Sequence, residues 1–249
     1  MSVEEALNLI SNRTLSASQI AEALVALSSH LPRKELHLLA GKAFGLRPAM
    51  PILGNVLMLV YELGPDRVMN LLKEATKRAV SNALERFGST NSAITISNSS
   101  LVREFLLKAR PKKVVALKSE PGGEGVDLVK LLRRNGIDAT VAEDSACYYA
   151  CSKVELVLTG ADALYEDGFL NKVGTRLLAL CAKELDKEFL VLSTTLKFDP
   201  RGRHLEDYYE EVEGAPLFEF VPKDDLLLCM EDGVGGWRYG RPYSKKSVI

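Results

Sequence analysis

AITIS (residues 93–97), LVREFLLKAR (101–110), KVVALKS (113–119) and EGVDLVKLLRRNG (124–136) alternate short β-rich runs with helical stretches. The rhythm continues through DATVAED (138–144), a short helix over 147–152, VELVLTG (154–160), ADALYEDGFLNKVG (161–174), TRLLALCAKEL (175–185) and EFLVLSTT (188–195). Continuous apolar strands separated by helices indicate βαβ units and a parallel sheet buried on both faces. Right-handed crossovers then build a doubly wound, Rossmann-like sheet with ligand sites beyond the carboxyl ends of its strands. The closing segment PLFEFVPKDDLLLCMEDGVGG (216–236) is expected to add another strand and helix, and WRYGRPYSKKSVI (237–249) a basic tail.

Before residue 90 the pattern is helical. ALNLI (6–10) is followed by Ile20, Ala23, Leu24 and Leu27 at three- and four-residue steps. Ser16 or Ser18 can cap that second helix, and Pro32 and Pro48 punctuate the connections. A third helix runs through ILGNVLMLVYEL (52–63) to Gly64, and Pro65 and Asp66 open a long fourth that Gly88 stops. The expected fold class is α/β: a helical N-terminal domain over residues 1–90 and a Rossmann-like parallel-sheet domain over 91–249.

The 249 residues are 47% hydrophobic and 26% charged, which excludes a disordered or fibrous chain. Lys+Arg 32 against Asp+Glu 33 leaves a formal charge of -1, so no global basic field points to nucleic acid, and none is expected as a direct partner. The start, MSVEEALNLI, carries acids where a signal peptide carries cations, and no run reaches a membrane span of about 20 apolar residues. A cytoplasmic protein is expected, with Cys147, Cys151, Cys181 and Cys229 as free thiols. Cys147 and Cys151 alone complete no zinc site, and the three histidines make no metal or triad motif, so no metal is expected. Neither GxxxxGK[ST] nor a well-formed GxGxxG is present, so no nicotinamide or other cofactor is expected.

The strand ends carry the chemistry. AITIS delivers Ser97, Asn98, Ser99 and Ser100 into a helix start, which suits either an anion or simple capping. KVVALKS delivers SEPGGEG, whose paired glycines permit either close ligand approach or a plain turn. VELVLTG ends in Gly160-Ala161-Asp162, a carboxylate placed to meet a ligand or cap a loop. Asn171, Lys172 and Thr175 offer amide, ammonium and hydroxyl groups for a sugar phosphate, and EFLVLSTT leads to a second cation, Lys197.

LRPAM (46–50), TISNSSLVREFL (95–106), SEPGGEG (119–125), EDSACYYA (143–150), LTGADALYEDGFLNKVGT (158–175) and TTLKFDP (194–200) together resemble one family. It unites the regulatory subunits of translation initiation factor 2B, their archaeal relatives, and isomerases of ribose-1,5-bisphosphate and methylthioribose-1-phosphate. The resemblance implies a phosphorylated sugar or nucleotide ligand, a homodimer formed by the second domain, and initiation factor 2 or a family paralogue as partner. It also implies that Asp162 holds the acid position and that Arg47, Asn171, Lys172 and Lys197 face the ligand, while Ser99 and Ser100 are ligand-binding candidates from their place at the helix start. The isomerases' reactive cysteine is replaced by Ser97, their acidic-Ser-Arg-Pro stretch reads Lys118-Ser119-Glu120-Pro121, and TLSAS (14–18) is the nearest counterpart of their glycine-rich loop. A serine hydroxyl ionises far less readily than a thiol and needs an adjacent base. The expectation is therefore a non-catalytic initiation-factor-2B-like subunit that keeps its pocket. The alternative is an aldose-ketose isomerase using Ser97 and Asp162. The apolar surplus between Ala215 and Met230 (Leu217, Phe218, Phe220, Val221, Leu226, Leu227, Leu228) is expected either to form an interface or to complete the core.

Overall fold

The computed structural model describes residues 3–13, 15–202, 208–212, 214–224 and 226–237; the basic tail beyond Trp237, together with Thr14 and His204, lies outside them. Five helices open the chain: α1 (Val3–Ile10), α2 (Ala17–Ser28), α3 (Arg33–Leu46), α4 (Ile52–Leu63) and α5 (Pro65–Phe87). Ser16 is the α2 cap: its Oγ accepts from the Gln19 N–H, and the Gln19 side chain accepts in return from the Ser16 N–H. The extra helix, α3, was hidden by Gly41 and Gly45, which weaken its apolar periodicity.

From residue 92 the chain alternates: β1 (Ser92–Thr95), α6 (Ser100–Ala109), β2 (Lys113–Leu117), α7 (Glu124–Arg134), β3 (Ala139–Ala142), α8 (Cys147–Ser152) and β4 (Leu156–Thr159). Then come β5 (Ala163–Leu164), β6 (Gly168–Lys172), α9 (Thr175–Glu184), β7 (Phe189–Leu192), β8 (Tyr208–Val212), β9 (Ala215–Pro222), β10 (Leu226–Met230) and β11 (Gly233–Gly236). Seven strands form the main sheet in the order β11-β10-β7-β4-β1-β2-β3, parallel except for β11.

Both faces of that sheet are covered, and the alternation of its side chains shows how. Ile94, Val115, Leu117, Val157 and Val191 point to one side, against Cys147 and Cys151 of α8 and Leu178 and Cys181 of α9. Ala93, Val114, Ala116, Leu158, Leu190 and Leu192 point to the other, against α5, α6 and α7. The winding is thus double, with its switch point between β1 and β4, where crevices for ligands form.

Two segments differ from expectation. ADALYEDGFLNKVG holds no helix: the Asp167-Gly168 turn folds β5 back on β6, and the Tyr165 N–H donates to the Gly168 carbonyl. The closing segment forms β9, β10 and β11 with no helix among its described residues. β5, β6, β9 and β8 make a second, antiparallel sheet that packs Tyr165, Leu170, Phe218 and Phe220 into the helical bundle. Phe218, Phe220, Val221, Leu226 and Leu228 are therefore buried within the chain. Most of the apolar run from 215 to 230 thus completes the core, with Leu217 and Leu227 partly buried against it. α5 joins the two parts: Val68, Leu72 and Ala75 sit in the bundle, whereas Ala79, Val80, Ala83 and Phe87 lie against the main sheet.

Candidate functional site

Beyond the carboxyl ends of β1 and β4 lies a cavity of about 280 Å3. Arg47, Ser97, Ser99, Ser100, Asp162, Asn171, Lys172 and Lys197 all line it. They reach it from several elements, Ser99 and Ser100 together at the start of α6 and Asn171 and Lys172 together on β6. Ser97 follows β1 with φ of 65°, a left-handed conformation unusual for serine, and its N–H donates to Ser119 Oγ at 2.8 Å. Ser119 (φ 71°) is itself clamped by Asp144, whose two oxygens accept from the Ser119 and Glu120 N–H groups at 2.8 Å. Two strained residues at adjacent strand ends, held by a buried hydroxyl, mark a place where the backbone is shaped for something other than its own stability.

Ser99 and Ser100 open α6. Ser99 makes no side-chain cap, so the first-turn N–H groups of α6 remain available at the cavity, and Ser100 Oγ donates to Ser18 Oγ at 3.2 Å. Gly160 lets β4 end flush against this turn, since a Cβ there would lie 2.4 Å from Ser99 Oγ. The hydroxyl contact ties the start of α6 to the start of α2, so the TLSAS segment, described from Leu15 to Ser18, forms one wall.

Asn171 and Lys172 lie on β6 and are buried, rather than in a solvated loop before a helix. Asn171 Nδ2 donates to Thr159 Oγ1 at 2.8 Å and Thr175 Oγ1 at 2.9 Å. Lys172 Nζ donates to the Pro121 carbonyl and to Glu124 Oε1 at 3.0 Å. The start of α9 is closed to an anion: Glu219, buried on β9, accepts from the Arg176 N–H at 2.8 Å. Burial still raises its carboxyl above the ordinary range.

Lys197 is buried in the turn after β7, and its Nζ donates to the Ala161 carbonyl. That turn is held from behind, where Asn55 Nδ2 donates to the Leu196 and Phe198 carbonyls at 2.8 Å. Burial lowers the Lys197 pKa, partly offset by Asp162. Asp162 forms part of the cavity wall and keeps some exposure, yet the protein around its carboxyl desolvates it and raises its pKa, against the pull of Lys197 and Arg47. Arg47 is buried at the end of α3, with Nε 3.0 Å from Glu210 Oε1 and Nη1 donating to the Asn12 carbonyl at 2.6 Å.

Lys118 and Glu120 do not line the cavity. They pair with each other at 3.2 Å, and Lys118 reaches Glu143 at 3.8 Å, so the charge inversion of that stretch is spent outside the site. Asn98, named with Ser97, Ser99 and Ser100 at that strand end, lines it too; sequence reasoning missed Arg13, Gln19, Arg103, Glu124 and Asp127. Arg103 and Glu124 each sit within a motif already quoted; helical phase relative to the strand end was the available signal.

The profile of the family described as "Initiation factor 2 subunit family" matches residues 8–228. The chain belongs to that family. Among the family's curated members, a ribose 1,5-bisphosphate isomerase of Archaeoglobus fulgidus is 30% identical over 214 residues, 78% of this chain and 68% of its own. A putative translation initiation factor eIF-2B subunit 2-like protein of Pyrococcus abyssi is 32% identical over 208 residues, 77% of this chain and 75% of its own. The crystal structure of the Pyrococcus horikoshii translation initiation factor eIF-2B superposes with a TM-score of 0.83 at 25% identity, covering 94% of this chain and 96% of that one. The family fold also recurs in a tetrameric eIF2B-beta2-delta2 complex of C. thermophilum, with a TM-score of 0.68, 21% identity, and coverage of 94% of this chain and 90% of that one. Family members therefore carry both factor and isomerase names and form oligomeric complexes. Among the described residues no helix is long and apolar enough to cross a membrane.

Proposed function

We propose that this chain is a non-catalytic, initiation-factor-2B-like regulatory subunit whose cavity binds a phosphorylated sugar or nucleotide in the cytoplasm. The observation that carries the reading is the pairing of an intact polar cavity with Ser97 where the isomerases have a thiol. Five cationic and three acidic side chains line the cavity, and the free first turn of α6 adds backbone donors. Isomerisation moves a proton or hydride between C1 and C2 with two groups trading protons. Asp162 can serve as one. Among the described residues no histidine lines the cavity to activate Ser97 as the other.

Purified protein incubated with ribose-1,5-bisphosphate is expected to form no ribulose-bisphosphate. Product that appears with the native chain and vanishes in Asp162→Asn would establish the isomerase reading instead. Binding should persist without turnover. Two of the three Lys172 ammonium protons go to Pro121 and Glu124, leaving one for a ligand oxygen. Lys172→Ala should weaken adenosine monophosphate or ribose 5-phosphate binding by about 1.5–3 kcal/mol by calorimetry. No heat from the native chain at millimolar ligand would remove the pocket reading.

We also infer a homodimer, and association with initiation factor 2 or a family paralogue. Its support moves from the 215–230 segment to the neighbouring helices α8 and α9, which pack together and leave Tyr148 (51% exposed), Tyr149 (69%), Leu177 (48%) and Leu180 (58%) at the surface. A stable interface there should bury about 2,000 Å2 and survive salt, since its centre is apolar. Sedimentation should show a dimer that Tyr149→Asp with Leu180→Asp converts to monomer; a native monomer at low micromolar concentration would remove the claim.

A further inference from the structure

The charges around the cavity are unevenly matched. Lys172 is neutralised by Glu124 at 3.0 Å, Arg47 by Glu210 at 3.0 Å, and Lys197 faces Asp162. Asp127 is matched outward by Lys130 at 3.0 Å. Arg13 and Arg103 remain. Among the described residues Arg103 has no ion-pair partner and Arg13 donates only to a carbonyl, that of Glu211 at 3.5 Å. Both line the cavity. Arg103 lies one turn into α6, so it projects beside that helix's uncapped first-turn N–H groups. One part of the cavity therefore carries unmatched positive charge and backbone donors, while the part beside β6 and β7 is balanced by the chain's own carboxylates.

The cavity wall also holds unsatisfied acceptors, one at Glu124 beside Lys172 and one at Asn98 just before α6. Glu124 Oε2 and Asn98 Oδ1 are buried without a hydrogen-bond partner, and both residues line the cavity. Buried acceptors of this kind call for donors from a ligand. A hydroxyl supplies one, whereas a phosphate dianion supplies none and repels a carboxylate.

We propose that the cavity selects ligands with a single phosphate group, and that Glu124 is the residue that sets this selectivity. The phosphate sits by Arg103, Arg13 and the start of α6; the polyol end donates a hydroxyl to Glu124. A second phosphate at that end meets the Glu124 carboxylate and loses Lys172 to it. The inference rests on the pocket reading above and narrows its ligand to sugar or nucleoside monophosphates.

Calorimetric titration with ribose 5-phosphate and ribose-1,5-bisphosphate tests it on the whole chain. The native protein should bind the monophosphate at least as tightly as the bisphosphate. Glu124→Gln should shift the preference toward the bisphosphate by tenfold or more, and Arg103→Ala should weaken both ligands by about tenfold or more. Circular dichroism of each variant separates these effects from unfolding, and Glu124→Asp, which keeps the charge, should keep the monophosphate preference. A native chain that prefers the bisphosphate tenfold, or a Glu124→Gln ratio equal to the native one, overturns the assignment. Silence with both sugars is the distinct failure of the pocket itself, and the selectivity falls with it.

Discussion

Replacing Lys197 by methionine is expected to cost about 3 kcal/mol of folding stability at neutral pH, the low end of the range for removing a buried charge that offsets a nearby opposite one. The low end applies because Asp162, left behind, keeps some access to the cavity. The loss should depend on pH in a defined sense. Burial already raises the Asp162 carboxyl above its unfolded value, and Lys197 is the largest influence holding it down. Without Lys197 the folded pKa rises further. A group whose folded pKa lies above its unfolded one contributes stability below the unfolded pKa and loses it as pH rises through the folded one. The deficit relative to the native chain should thus be smallest in acid and grow toward pH 8. Urea denaturation across that window reads it directly, and adding Asp162→Asn should recover part of the loss. A deficit that does not change with pH would show that the two side chains are not coupled.

Gly125→Ala should be comparably severe for a steric reason. α7 starts against the end of β2, and a Cβ at Gly125 would lie 1.8 Å from the Leu117 carbonyl oxygen and 2.9 Å from its carbon. These are backbone atoms inside a parallel strand and cannot swing aside. Strand or helix must move, at about 3 kcal/mol or more. The displacement also shifts Glu124, the preceding residue, so ligand binding should weaken along with stability. Gly41→Ala in α3 is the contrast. Nothing lies within 4 Å of its Cβ, and the same change there should stabilise by about 0.4–1 kcal/mol. Equal effects at the two positions would sink the steric argument.

The parallel sheet was legible because its strands are short and mostly apolar and several lead into amphipathic helices; Ile94, Val115 and Val157 needed no further context. The site was legible where residues follow a strand directly, as Ser97 and Asp162 do. It was not legible where tertiary packing decides. Phe218 and Phe220 look like surplus apolar surface until the second sheet sets them on the helical bundle. Asn171 and Lys172 look like loop residues until Asp167-Gly168 turns β6 into a strand paired with β9. Arg13 lies nearly ninety positions from Arg103, and no local pattern announces that both reach one cavity.

The 23-residue helix α5 spans about 35 Å at 1.5 Å per residue, and its two halves serve different cores. Neither core can dissolve while the other keeps that helix wound along its whole length. Fraying at one end removes the nucleus from which the other would rewind, because short isolated helical turns do not persist in water. Bundle and sheet are thereby made a single melting unit. A cut near residue 90 would yield two fragments, one of which keeps α5 with half its apolar stripe facing solvent.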